Sequence, residues 1–225
     1  MRTGLFGGTF NPVHTGHITI SEEIKAVFGF GRMIIVPSSV PPHKRSVDIA
    51  DADHRFEMTL RAFGTKSGYS VSDVEIKRRG PSYTVDTVDH FKKNLKTGDE
   101  LYFLLGMDAF LEIDTWMSYT ALFARVPMVV MTRPGYGNGD KNGPDEPRHD
   151  ILGDFIRQKI SAGYYLSKSK DAYEHESLRP IYLSHITPVD ISATDIRDRI
   201  RKGKPVKGLI PESVEAYIME KGLYQ

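Results

Sequence analysis

Short apolar runs alternate with amphipathic stretches along most of the chain. Residues 3–6, 32–36, 69–76, 101–105 and 128–132 read as strands buried in a sheet. Between them, residues 18–28, 53–63, 84–95 and a stretch from about residue 120 carry apolar positions at helical spacing. Strand and helix in alternation predict an α/β fold, a doubly wound parallel sheet covered by helices. Ligands of such sheets collect beyond the carboxyl ends of the strands. That rule points to the loops following residues 6, 36, 105 and 132.

After residue 133 the pattern weakens. Gly, Pro, Asp and Asn crowd residues 134–150, which predicts a mobile insert or a lid. Residues 151–162 fit an amphipathic helix, 164–166 and 179–183 a hairpin or further strand, and the charged run 167–177 an exposed turn. A helix around 214–220, with Pro211 at its start, forms a C-terminal helical segment. With 225 residues, 40% of them hydrophobic, a single domain over 1–225 can bury a sizeable core without disulfides.

Charge narrows the possible partners. The 30 Lys+Arg and 29 Asp+Glu leave a formal charge of +1, so neither nucleic acid nor an anionic membrane is expected as a partner, and any phosphate site must be local. The absence of cysteine excludes disulfides, thiolate metal sites and a Cys nucleophile, and it fits a reducing compartment. No run approaches transmembrane length, and Gly4-Leu5-Phe6 lacks the basic flank of a targeting segment. A cytoplasmic protein is the expectation.

The densest chemistry lies in Gly7-Gly8-Thr9-Phe10-Asn11-Pro12-Val13-His14-Thr15-Gly16-His17. Gly7 and Gly8 can take positive φ and admit a ligand close to the backbone, while Thr9 and Asn11 offer short polar side chains. His14 and His17, three apart at the entry to a helix, would project from one face toward its positive end. The stretch lacks the Lys-Ser/Thr ending of a P-loop and the G-x-G-x-x-G spacing of dinucleotide folds. A strand-to-helix turn with two surface histidines also accounts for it.

These residues resemble the signature of the nucleotidyltransferases that transfer a nucleoside monophosphate from a nucleoside triphosphate, with two histidines separated by two residues. Within that superfamily the chain is similar to the nicotinate-nucleotide adenylyltransferases from residue 3 to about residue 222, which implies a Rossmann-like nucleotidyltransferase fold. Asn11 is a departure, because the family often carries Asp there. The resemblance also gives meaning to the other strand-end loops. Pro41-Pro42-His43-Lys44 matches a family loop whose lysine approaches the mononucleotide phosphate. Arg55 matches a family position too, and an ordinary surface role accounts for it equally well. Ser82-Tyr83-Thr84 and Trp116, the chain's single tryptophan, match the pocket for the pyridine ring, and Met117 stands where an aromatic is common. Read by themselves, Ser82 or Thr84 could equally cap a helix.

Gly106-Met107-Asp108 resembles the family's Gly-x-Asp at the nucleoside, although Asp108 could also cap a helix. Ile191-Ser192-Ala193-Thr194-Asp195-Ile196-Arg197 is close to the family's Ile-Ser-x-Thr-x-Ile-Arg. Ser192 and Asp195 have capping-box spacing, and Ser192, Thr194 and Arg197 at a helix start suit a polyphosphate.

The resemblance implies adenylyl transfer from ATP to nicotinate mononucleotide, with His14, His17, Lys44 and Arg197 as catalytic residues. ATP would meet Gly7, Gly8, Thr9, Phe10, His17, Gly106, Asp108, Arg133, Ile191, Ser192, Thr194 and Arg197. The mononucleotide would meet Asn11, Lys44, Ser82, Tyr83, Thr84, Trp116 and Met117. Mg²⁺ would arrive mainly on the ATP phosphates, with no dedicated protein metal site. The alternatives are nicotinamide mononucleotide or another phosphorylated acceptor, or a nucleotide sensor without catalysis.

Overall fold

The computed structural model describes residues 1–40, 49–132 and 146–225, with side chains from 151 in the last stretch. The chain divides into two compact units, residues 1–82 with 189–225, and residues 83–188. In the first unit, β1 (Arg2–Gly8), β2 (Arg32–Pro37) and β3 (Tyr69–Val71) pair in parallel in the order β3-β2-β1. The crossovers are α1 (Thr15–Val27) and α2 (Ala52–Phe63). Leu5, Ile24, Met33, Ile35, Met58 and Phe63 are fully buried, so this unit has its own core.

The strand expected over 69–76 stops at Val71, and α3 (Val74–Arg78) follows. Local hydrogen bonding explains the switch. Ser72 Oγ accepts the Val74 N–H at 3.3 Å, and Lys77 reaches Asp73 at 2.9 Å, one helical turn away.

In the second unit, α4 (Thr84–Lys93) precedes β4 (Glu100–Gly106), and α5 (Met107–Leu111) and α6 (Tyr119–Arg125) precede β5 (Met128–Thr132). After residue 145 come α7 (Glu146–Phe155), a π turn over Ile156–Ile160, β6 (Tyr165–Ser167), β7 (Ala172–Glu174) and β8 (Ile181–His185). Strands β4, β5 and β8 run parallel, and β8, β7 and β6 antiparallel.

The run 167–177 therefore holds a strand where an exposed turn was expected. Ala172 and Tyr173 are buried, and two adjacent apolar residues among charges are too few to register as a period. Returning to the first unit, α8 (Ala193–Arg201) and α9 (Glu212–Lys221) complete the chain, α9 packing on α2 with the Arg61 guanidinium 4.7 Å from the Tyr217 ring. Among the described residues, no helix is long and apolar enough to cross a membrane.

Candidate active site

The loop after β1 is built differently from its glycine-turn expectation. The strand continues through Gly7 and Gly8, and the left-handed residue is Phe10, at φ 49°. Gly8 is required for room: a Cβ there would stand 2.9 Å from the Phe10 ring. Phe10 itself is buried, and it meets Phe6 edge-on at 5.7 Å. A large apolar side chain thus folds under the loop and holds it.

His14 occupies the N-cap of α1 and His17 its first turn. Their rings lie 3.7 Å apart between centroids, and the Phe10 ring closes on His17 at 5.0 Å. His17 Nδ1 accepts the His14 N–H at 3.2 Å. The neutral ring then carries its proton on Nε2, a donor. No acidic side chain stands in the first turn of α1 to offset its positive end. Gly16 allows the histidines to pack this way, since a Cβ there would meet His14 Nδ1 at 3.0 Å and Val189 at 3.2 Å. Thr15 ties the helix start to the segment before α9, its N–H reaching the Leu209 carbonyl at 2.9 Å and its hydroxyl the same oxygen at 3.0 Å.

The motif at 191–197 comes to this loop. Ser192 is the N-cap of α8, its Oγ accepting the Thr194 N–H at 3.2 Å. Asp195 does not complete a capping box; its carboxylate holds Arg199 at 2.9 Å. Arg197 donates through Nη1 to the Asn11 carbonyl at 2.9 Å and through Nη2 to Thr194 Oγ1 at 3.4 Å. Its Nε is buried without a protein acceptor among the described residues. The two motifs expected to share a triphosphate are therefore hydrogen-bonded to each other within one unit. Ile191 is half-buried, and Ser192 and Thr194 are exposed.

Arg55 was underrated by the sequence reading. It is 1% exposed, and it donates to four carbonyls: Nε to Ala50 at 2.8 Å, Nη1 to Thr9 at 2.9 Å and Ser38 at 2.6 Å, and Nη2 to Ser39 at 2.7 Å. Burial pulls its pKa below the ordinary guanidinium value, while Tyr224, Asp51 and Glu75 act in the opposite direction. One side chain thus clamps the loops after β1 and β2. A signal existed: Arg55, Met58, Thr59, Ala62 and Phe63 are spaced as one helix face, and all are buried.

The remaining candidates are distributed. Ser82 Oγ accepts the Ser39 N–H at 2.8 Å, so it braces the loop after β2 and is not a cap. Tyr83 occupies the N-cap of α4, and Thr84 is its first residue. In the second unit, Gly106 ends β4 at its carboxyl edge and takes the N-cap of α5, the place where Asp108 was an alternative; Asp108 is exposed in the first turn. Trp116 is half-buried with Phe103 edge-on at 6.3 Å, and Met117 is exposed. Lys44 and Arg133 lie outside the described residues. Among the described residues, no group of three or more His, Asp or Glu is placed to hold a metal ion.

Comparison with known proteins adds a lineage to this geometry. A family model described as cytidylyltransferase-like matches residues 5–199. A probable nicotinate-nucleotide adenylyltransferase of Desulfatibacillum aliphaticivorans is 38% identical over 227 residues, covering 100% of both chains. Its counterpart in Moorella thermoacetica is 37% identical over 100% of this chain and 92% of its own. Among solved structures, the nicotinic acid mononucleotide adenylyltransferase of Plasmodium falciparum complexed with NaAD superposes with a TM-score of 0.69 at 18% identity, covering 99% of this chain and 97% of that one. That likeness establishes the Rossmann-like α/β fold. Full-length identity to relatives of one kind goes further: the chain belongs to the cytidylyltransferase-like nucleotidyltransferases and, within them, to the nicotinate-nucleotide adenylyltransferase family.

Proposed function

We propose that this protein transfers the adenylyl group of ATP to nicotinate mononucleotide, yielding nicotinate adenine dinucleotide and pyrophosphate, a step of NAD biosynthesis in the cytoplasm. The carrying observation is the close His14–His17 pair, ring centroids 3.7 Å apart, at a helix start with no acidic residue in its first turn, with Arg197 hydrogen-bonded to the same loop. The names of the full-length relatives support the acceptor, as does the Plasmodium falciparum neighbour, solved with NaAD.

In this reading an oxygen of the mononucleotide phosphate attacks the α-phosphorus of ATP. The new P–O bond forms as the bond to the β-bridging oxygen breaks, and pyrophosphate leaves with the electron pair. No protein nucleophile is needed; position and charge do the work. His14 and His17 meet the α- and β-phosphate oxygens, with His17 Nε2–H as a donor. Ser192, Thr194 and Arg197 take the β- and γ-phosphates, and the Arg197 guanidinium is not saturated by protein acceptors. Gly7, Gly8, Thr9, Phe10 and Ile191 shape this ATP site.

Lys44 serves the attacking phosphate and Arg133 the triphosphate. Gly106 and Asp108 meet the nucleoside. Asn11, Ser82, Tyr83, Thr84, Trp116 and Met117 serve the mononucleotide. The donor set suits Mg²⁺ carried on ATP: imidazoles and a guanidinium are poor partners for a hard cation, so phosphate and water oxygens hold it. When bound, Mg²⁺ offsets charge on the departing pyrophosphate.

The test is to incubate the purified protein with ATP, Mg²⁺ and either nicotinate or nicotinamide mononucleotide, and to identify the condensed product by mass. Nicotinate adenine dinucleotide, with the higher kcat/KM for the acid, is expected. Preference for the amide would reject the acceptor, and ATP binding without pyrophosphate release would reject catalysis.

A further inference from the structure

Given the ATP-phosphate role proposed for Arg197, the question is what holds Arg197 in place. Its Nη1 is fixed on the main-chain carbonyl of Asn11, at 2.9 Å, so its direction depends on where that carbonyl points. Asn11 is 6% exposed, and its side chain is bound twice: Oδ1 accepts the Ala50 N–H at 3.0 Å and meets the Tyr224 hydroxyl at 2.7 Å. A main-chain N–H can only donate, so the atom facing Ala50 is the amide oxygen. Tyr224 must therefore be the donor, and both lone pairs of Oδ1 are taken.

Resting on that reading, we propose that Tyr224 is a positioning residue of the ATP site: its hydroxyl locks Asn11, and Asn11 in turn aims Arg197. The end of α9 delivers it. Gly222 turns the chain through the left-handed region at φ 62°, and the Leu223 N–H returns to the Ile218 carbonyl at 3.0 Å, a helix-ending bond that sets the path of the next residue. Because α9 packs on α2, the helix that carries Arg55, the hydroxyl arrives on a rigid support. Burial raises the Tyr224 phenol above its ordinary value, against the opposing charges of Arg197 and Arg55, so the donor proton is retained at neutral pH.

The departure at Asn11 now has a structural reading. An amide oxygen is a sufficient acceptor for one main-chain and one phenolic donor, and it leaves the Arg197 charge uncompensated for phosphate.

The experiment measures ATP affinity by calorimetry and thermal midpoint for the full chain, Tyr224→Phe, Asn11→Ala and the double variant. Tyr224→Phe should weaken ATP binding about three- to tenfold, the worth of one hydrogen bond. In the Asn11→Ala background the same change should move Kd by less than about twofold, because the acceptor is already gone. Unchanged affinity in Tyr224→Phe, an equal loss in both backgrounds, or a Phe variant that unfolds at the assay temperature would each overturn the positioning role. Product formation by wild type with nicotinate mononucleotide is read separately. Wild type that shows the affinity pattern but makes no product overturns the proposed activity alone, and wild type that binds no ATP overturns both.

Discussion

Replacing Arg55 by Met removes a guanidinium while keeping most of the side-chain length, and the cost can be worked from its four contacts. Each bond from a charged donor to a carbonyl contributes about 1.5–3 kcal/mol net of solvation, so four would give roughly 6–12 kcal/mol if they were additive. Bonds that share one guanidinium, 1% exposed, are not independent, and removing one partner of a buried charged contact costs about 3–5 kcal/mol. The net loss should be about 3–5 kcal/mol, a large part of the roughly 5–15 kcal/mol that holds a domain of this kind. Urea unfolding of wild type and variant at one pH measures it, provided the slope with denaturant is unchanged.

Arg55→Lys separates charge from geometry. One ammonium cannot reach the Thr9, Ser38, Ser39 and Ala50 carbonyls together, so Lys should restore less than half of the loss. A Met variant within about 1 kcal/mol of wild type would refute the clamp. So would full rescue by Lys, which would reduce Arg55 to a point charge.

Three further perturbations probe the loop and the fold. His17→Ala should lower kcat by roughly 10²-fold or more with the thermal midpoint nearly unchanged, as for loss of a transition-state charge stabiliser, and wild-type turnover in that variant would remove His17 from the mechanism. Gly16→Ala should cost about tenfold in kcat, because the new methyl presses on His14 at 3.0 Å and shifts a ring whose centroid lies 3.7 Å from that of His17; steady-state kinetics showing no loss would mean that the imidazoles tolerate displacement. Stability should fall as pH rises above 10.0, the ordinary phenol value. Burial raises the pKa of Tyr164 and Tyr224 in the folded chain, so the unfolded chain releases protons that the native one keeps. Urea midpoints between about pH 8 and pH 11 test this, with Tyr164→Phe expected to flatten the decline and a flat wild-type profile to contradict it.

The alternation of apolar runs located β1, β2, β4 and β5 to within a residue or two, because a strand buried on both faces writes its burial directly into composition. Where packing decides against composition, the reading failed. Strand β7 rests on Ala172 and Tyr173, and its neighbours Lys168, Lys170 and Asp171 are those of a surface turn. At β3 the apolar residues Tyr69, Val71, Val74 and Ile76 suggest a strand, yet the step of three from Val71 to Val74 breaks the alternation where Ser72 and Asp73 bond locally and the helix begins. The site divides in the same way. The residues proposed to meet the ligand, such as His14, His17, Ser192 and Arg197, stand in short stretches whose spacing matches the family motifs and are recognisable in the chain.

Residues that act on those residues carry no such spacing. Arg55 was visible as a position on the apolar face of α2, and the missed step was to ask what a guanidinium could do there. Burial forbids an unpaired charge its water, and with loops on either side the available acceptors are main-chain carbonyls, which are independent of sequence. That is why four bonds to Thr9, Ser38, Ser39 and Ala50 left no trace in the residues they reach. Tyr224 is a harder case, because it stands 213 residues from Asn11. A loop can thus be recognised from its own residues while side chains that bond to it, an arginine and a tyrosine, come from distant parts of the chain. Substitutions at those two positions should therefore change affinity and stability while every recognisable motif remains intact.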